Sequence, residues 1–284
     1  MQPNASLPDP FLAPQRRPVT GPKRREPWHC YVAAMTRHAD IEFFFDPVCP
    51  FAWITSRWIE KVATQSDYVV DWRFISLRLI NKAKDYDTEF PPGYEHGHTA
   101  GLRMLRVAAK VRDELGTEPL GPLYTAFGDS YFGADQSQAE SARTALGSIE
   151  AVQACLATAG LDASFAEAAD DESWDQLLDD ETELALSRTG RDVGTPIITF
   201  QPPDGLSFFG PVISRVPADE DAVPLWNAVT TLARFPGFAE MKRSMREAPQ
   251  LPIFGPVSDT PRMEDWQGGH RAGHLASDQA TDAS

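Results

Sequence analysis

Ile41 to Phe45 is an almost unbroken apolar run, with Glu42 its one interruption. A short run of this kind predicts a strand buried on both faces. After Asp46-Pro47-Val48-Cys49, the residues Phe51, Ile54, Trp58 and Val62 recur at helical spacing, which predicts a helix over 50–64. Pro50 fits its first turn, where a missing N–H costs nothing. Val70, Trp72 and Phe74 then alternate with Asp71 and Arg73, the period of a strand. Strand, helix and strand in quick succession read as a βαβ unit with a right-handed crossover.

The pattern changes from about His96 to Thr189. Ala, Leu, Glu and Asp dominate there, and strand signals vanish. Leu102, Leu105, Val107 and Ala109 fall in one expected helix. Ala139 to Thr158 is read as a second, stopped at Gly160, and Ser173 to Ser187 as a third. Asp170-Asp171-Glu172 precedes the third, where acidic residues favour a helix N-terminus. Strands resume with Ile197–Phe200. Pro202-Pro203-Asp204-Gly205 is turn chemistry, and Leu206–Phe209 completes an expected hairpin. Ala222, Leu225, Trp226, Val229 and Leu232 mark an amphipathic helix after Pro217. The expected organisation is one α/β domain in two parts, 39–95 and 190–250, interrupted by a helical insertion over 96–189.

Both ends differ from this middle. Residues 1–38 hold seven prolines and six Lys or Arg against Asp9 and Glu26. That composition cannot bury enough apolar surface to fold alone, so a disordered extension is expected, with Met35 as an alternative translation start. No apolar stretch there resembles a secretory leader. Residues 251–284, rich in Asp, Ser, Gly and Ala, are read as a disordered tail.

The whole chain has 284 residues and a net charge of −15. A nucleic-acid partner is not expected, because phosphate recognition needs clustered Lys and Arg. No apolar run approaches the roughly 20 residues of a membrane span, so no membrane partner is expected. Three cysteines, Cys30, Cys49 and Cys155, are too few for a disulfide framework. A reducing, cytoplasmic setting follows as the expectation. There is no phosphate-binding glycine motif and no metal-ligand spacing. His96 and His98 are read as surface polar residues. Gly128-Asp129-Ser130 echoes an esterase start but lacks a partner histidine block.

Cys49 is the informative residue. It follows a buried strand and immediately precedes a helix, whose free N–H groups and dipole favour a thiolate. A depressed thiol pKa is therefore expected, with Asp46 able to oppose it. The plainer reading is a small buried hydrophobe. Cys155, in an Ala-rich helix, is read as packing.

The segment Asp46-Pro47-Val48-Cys49-Pro50-Phe51-Ala52-Trp53-Ile54-Thr55-Ser56-Arg57-Trp58 resembles the active-site segment of DsbA-like thioredoxin-fold oxidoreductases, above all the mycothiol-dependent nitroreductase branch. Leu123-Tyr124-Thr125-Ala126, Val193-Gly194-Thr195-Pro196 and Phe208-Phe209-Gly210-Pro211-Val212 agree with it, so the resemblance spans roughly 40–250. It implies an α/β thioredoxin-like fold of DsbA type with a helical insertion. It also implies that Pro196, after Thr195, is the cis-proline facing the active cysteine, a place where incoming substrate backbone can pair. The family's motif carries a second cysteine where this chain has Ala52. The resemblance therefore implies a thiol-dependent oxidoreductase with Cys49 as its single nucleophile. Mycothiol or a similar small thiol would be co-substrate, the substrate a small disulfide or electrophile, and no cofactor would be tightly bound. Pro50, Trp53, Thr195 and Pro196 would surround substrate or thiol. Asn81, after Ser76-Leu77-Arg78-Leu79-Ile80, matches a further family segment, and the resemblance implies that it would help hold the thiol. The competing readings are a kappa-type glutathione transferase or chromene-carboxylate isomerase, and a non-catalytic thiol sensor.

Overall fold

The computed structural model describes residues 38–267 and 270–271. Expectations about residues 1–37, Met35 and Cys30 included, lie outside them. β1 (Ile41–Phe45) is buried along its whole length. α1 (Pro50–Gln65) follows, then β2 (Val70–Phe74), which pairs parallel to β1. Two single-turn helices, α2 (Leu77–Ile80) and α3 (Tyr86–Glu89), lead into the long α4 (Tyr94–Leu115) and α5 (Leu120–Phe132). α6 (Ala139–Ala145), α7 (Ile149–Thr158), two 3-10 segments (Ala163–Asp170, Glu172–Trp174) and α8 (Asp175–Thr189) complete the helices before β3 (Ile197–Phe200). β4 (Ser207–Phe209) and α9 (Asp219–Arg234) come next. β5 (Met245–Glu247), a 3-10 turn (Pro252–Phe254), β6 (Met263–Gln267) and β7 (His270–Arg271) finish the described chain.

The main sheet runs β2-β1-β3-β4, with β3 antiparallel to β1 and to β4. Strand, helix and parallel strand, then an antiparallel hairpin and a last helix packed on the first, make the fold thioredoxin-like, of DsbA type. The helices between β2 and β3 are its insertion. α1 and α9 lock through Trp58 and Trp226, whose rings meet edge to face at 5.3 Å. Trp58 Nε1 also donates to Ala222 O at 2.8 Å.

The two faces of the sheet differ. Ile41, Phe43 and Phe45 join the large core with α1, α4, α5 and α9. Burying a large apolar side chain of this kind contributes about 1.5–3 kcal/mol relative to exposure. The other face carries Phe44 and Ile197 against Ala185 and Leu186 of α8. There Asp71, Glu42, Thr199 and Ser207 lie opposite one another on one rung. Arg188 of α8 donates to Glu42 at 2.6 Å and to Thr199 Oγ1 at 2.8 Å. A carboxylate inside a buried strand needs such a partner, and Arg188 explains how Glu42 interrupts an apolar run without breaking it.

Three expectations are corrected. Ala139–Thr158 is two helices, not one. The chain turns at Gly147, in the left-handed region at φ +71°, where an added Cβ would press on Ala100, and Ser148 caps α7 through Ala151 N. The third helix starts at Asp175 after a 3-10 turn and runs on to Thr189. The segment from residue 251 is not a featureless tail. Leu251 and Ile253 enter the large core, and β6 pairs with β5. The polar average of the segment hid these few apolar anchors.

Candidate active site

Cys49 is the N-cap of α1, one residue before the helix proper. The sulfur accepts the Ala52 N–H at 3.4 Å, as a capping side chain does. On its other side the thiol donates to Thr195 O at 3.4 Å. Thr195 holds its own place through Oγ1, which donates to Phe44 O at 3.2 Å, and the Thr195–Pro196 peptide is cis. Cys49, Thr195 and Pro196 are therefore gathered at one point, where the start of α1 meets the start of β3.

The electrostatics differ from the expectation. Burial pushes the Cys49 thiol up to about 12, with the Ala52 N–H opposing and Asp46 reinforcing. Only 6 % of the residue is exposed. A helix N-terminus favours a thiolate, but removing the sulfur from water disfavours the charge more strongly. The Thr195 carbonyl acts in the same sense, because it accepts from the protonated thiol and would repel the anion. In this state Cys49 is a thiol, not a thiolate.

Asp46 is fully buried beside it. Its carboxylate accepts Val48 N at 2.9 Å and Leu77 N at 2.7 Å, from the turns that open α1 and α2. Burial nevertheless raises its pKa to about 7. Gly101 of α4 packs on this loop, since an added Cβ would lie 2.8 Å from Asp46 Oδ1 and 3.0 Å from Val48.

The remaining expected residues take varied places. Pro50 occupies the first turn of α1, partly exposed. Asn81 caps α2, and its Nδ2 donates to Leu77 O at 2.8 Å. It thus steadies the turn whose N–H holds Asp46, one step removed from the sulfur. Trp53 is enclosed rather than walling an open pocket. Its ring stacks on Phe132 at 5.9 Å, lies 4.0 Å below the Arg57 guanidinium and meets Tyr124 edge-on. Gly128 permits this packing, for its Cβ would fall 2.1 Å from the indole. That close approach, not an esterase motif, accounts for Gly128.

Sequence reasoning missed two further features. Arg57 makes a bidentate pair with Glu60 and also donates to Thr125 Oγ1, tying α1 to α5. Both partners of that bond lie in quoted segments, Thr-Ser-Arg-Trp and Leu-Tyr-Thr-Ala, which was the available signal. His98 is buried, with Nδ1 2.8 Å from the Tyr86 hydroxyl and its pKa pushed down to about 4 by burial and by Arg78 and Lys84. His96 is exposed and pairs with Arg143 O. Reading both histidines as surface residues was thus half right.

A groove of about 610 Å³ lies along the other half of α1, between Glu60, Tyr68, Trp72, Thr125 and Asp129. Cys49 is not among its walls. Among the described residues no cluster of His, Cys, Asp and Glu could hold a metal, and no helix is long and apolar enough to cross a membrane.

Comparisons with known proteins bear on this site. A solved structure titled SeMet 2-hydroxychromene-2-carboxylate isomerase matches with 16% identity and a TM-score of 0.35, over 68% of this chain and 96% of that one. That likeness is too loose to carry function. An uncharacterized protein of Mycobacterium tuberculosis, Rv2286c, is 30% identical over 205 residues, 72% of this chain and 81% of that protein. A family model described as mycothiol-dependent nitroreductase Rv2466c matches residues 48–243, from the residue before Cys49 to beyond α9. With Cys49, Thr195 and Pro196 all inside that match, the chain belongs to the Rv2466c-like family of DsbA-type proteins.

Proposed function

We propose that this thiol-dependent oxidoreductase works through one sulfur, that of Cys49, with mycothiol or a similar small thiol as co-substrate. The observation that carries the reading is the placement of Cys49 Sγ between the Ala52 N–H and the Thr195 carbonyl. Ala52 stands where the family motif would carry a second cysteine. Cys155 donates instead to Ala126 O in α5 at 3.5 Å. Among the described residues no second sulfur is therefore offered locally. On a disulfide substrate, Cys49 gives its proton to water, its sulfur attacks one substrate sulfur and forms a mixed disulfide, and the other sulfur leaves as a thiolate that takes up a proton from water. A small thiolate then attacks the mixed disulfide, takes the bound half away as a new disulfide and returns Cys49 as thiolate. One such pass exchanges one disulfide for another, and a second small thiol acting on the new disulfide by the same route completes the two-electron reduction, so two small thiols are oxidised to their own disulfide for each substrate disulfide reduced. The site is small and buried, which supports small-molecule substrates, and a reducing cytoplasm is the compartment this chemistry suits.

The test is reduction of a small disulfide with and without mycothiol, followed by intact mass. A single thiol adduct on Cys49 that forms and clears during turnover is expected, and turnover should be lost in Cys49→Ser. Full turnover in Cys49→Ser, or turnover without any small thiol, would overturn the single-sulfur reading. An adduct that forms and arrests the protein would make it a sensor instead.

A further inference from the structure

α9 is apolar on two faces. Ala222, Trp226, Thr230 and Ala233 are buried, and Trp226 locks onto Trp58 of α1. From Ala222 to Ala233 the helix carries no Asp, Glu, Lys or Arg, although 24% of the chain is charged. Its outward side holds Leu225 and Leu232, 43% and 39% exposed, and Phe235 at the C-cap is 65% exposed. The surface helix of a lone molecule turns polar and charged groups outward, and a helix apolar all round is covered on both sides. Asp221, Leu225, Ala228, Leu232 and Phe235, all exposed, follow one another at alternating steps of four and three residues. That is the spacing of a straight seam through which two helices pair. The seam reads nearly the same in both directions. The small Ala228 stands at its middle, with a leucine about one turn to either side.

The geometry points to α9 as the contact through which two copies of this chain pair, antiparallel, about a two-fold axis at Ala228. Leu225 of each copy then meets Leu232 of the other, and the small central side chain lets the helices approach. The charges fit the same arrangement. Glu220 and Arg234, both exposed, lie on one flank of the seam, roughly two turns to either side of Ala228. Antiparallel pairing sets Glu220 of each copy beside Arg234 of the other, whereas parallel pairing would set like charges at the same level. An interface of this self-complementary kind closes as a dimer. The helix face is about 24 Å long and about 10–12 Å wide, well short of the roughly 800 Å² that each partner gives to a standard interface. The dimer is therefore reversible and concentration-dependent. It involves no residue of the Cys49 site and holds whether or not that sulfur reacts.

The experiment is sedimentation velocity on the full chain between about 1 and 300 µM, the range in which a small interface comes together. The weight-average mass should rise from 31.4 kDa toward twice that value. Leu225→Glu and Leu232→Glu should each hold it at one chain. Glu220→Arg should weaken the dimer about fivefold, and Arg234→Glu added to it should restore the affinity. Under mild oxidation Ala228→Cys should link two copies through a disulfide located at residue 228 by peptide mass, because residues on the axis come within roughly 4–7 Å at Cα. Asn227→Cys, off the seam, should not link. A constant mass of one chain over the whole range would overturn the proposal. So would association that survives both leucine variants, which would place the contact elsewhere. Ala228→Cys alters one small exposed side chain, so it decides the matter even where a glutamate variant fails to fold. Absence of its link, or an equal link at Asn227→Cys, would refute pairing about Ala228.

Discussion

Two buried cysteines, one at the start of α1 and one in the middle of α7, are held almost alike. Each is 5–6 % exposed, and each thiol donates to a backbone carbonyl. Burial raises the pKa of both. They differ in what surrounds the sulfur. Cys155 faces Ala126 O inside a helix pair. Cys49 faces a helix N–H, the Thr195 carbonyl and a buried carboxyl group that itself titrates near neutrality. The lesson is that a helix N-terminus does not make a thiolate while the sulfur stays dry. It makes a sulfur whose charge depends on access to water, whereas at Cys155 the group that opposes burial is the Ser130 side chain and not a helix N-terminus.

The sharpest break in the comparison is deletion of either sulfur. Cys49→Ser should lower thiol-dependent turnover by about 10³-fold or more, while Cys155→Ser leaves it within about twofold and costs on the order of 1 kcal/mol of stability by burying a hydroxyl. Steady-state kinetics and denaturant unfolding of both variants decide it, and comparable losses of turnover would erase the distinction.

A second sulfur at the α1 site tests the same difference from the other side. Ala52 is fully buried in the first turn, and Cys adds little volume. Ala52→Cys should fold and, on mild oxidation, lose two hydrogens and both local thiols through a bridge to Cys49, as paired cysteines at a helix start do. Intact mass and thiol titration read this out, and two persistent thiols would show that the site cannot bring the sulfurs together.

α5 packs beside both cysteines' helices, through Ala126 O at Cys155 and through Gly128 at Trp53 of α1. Gly128→Ala would drive a methyl into the Trp53 indole, and the expected loss is about 1–3 kcal/mol. Gly97→Ala in α4 meets nothing within 4 Å, so it should be neutral or gain up to about 1 kcal/mol. Equal melting temperatures for the two variants would contradict the packing described.

The last effect is a slope, spread over several pH units. Asp46 has its pKa raised from 3.8 to about 7, so the folded protein holds a proton that the unfolded chain has released. Stability from this group is full below about pH 4 and is lost as pH rises through about 7. The total is at most about 4 kcal/mol. Relative to Asp46→Asn, which lacks the titration, wild-type melting temperature should fall across that window. Parallel pH profiles would mean that Asp46 is charged throughout.

Much of this was legible in the chain. β1, α1, β2 and the β3–β4 hairpin follow from apolar period and turn residues, because each buries one clean face or two. The Cys49–Thr195–Pro196 meeting point came from the quoted motif segments, since no local pattern links residues so far apart. What stayed hidden depends on third parties. The water removed from Cys49 is excluded by elements remote in sequence, so its protonation could not be read from a helix start alone. Gly147 and Ser148 did carry the signal for the α6–α7 break, but the apolar period on either side masked it. Leu251 and Ile253 were lost in a polar average, although two side chains suffice to pin a segment.

The polar rung beneath α8 has a consequence for how the chain assembles. β1 and β3 lie about 150 positions apart, and contacts between distant positions form late and slowly. Two apolar strands that meet late can pair out of step. A slip of one position turns every side chain to the opposite face. Here it would carry the Glu42 carboxylate into the layer of Trp58 and Phe74, far from Arg188. An unpaired carboxylate buried there would be costly. Glu42, the polar position in an otherwise apolar strand, thus penalises the one-position slip, because only the native register brings its carboxylate to Arg188.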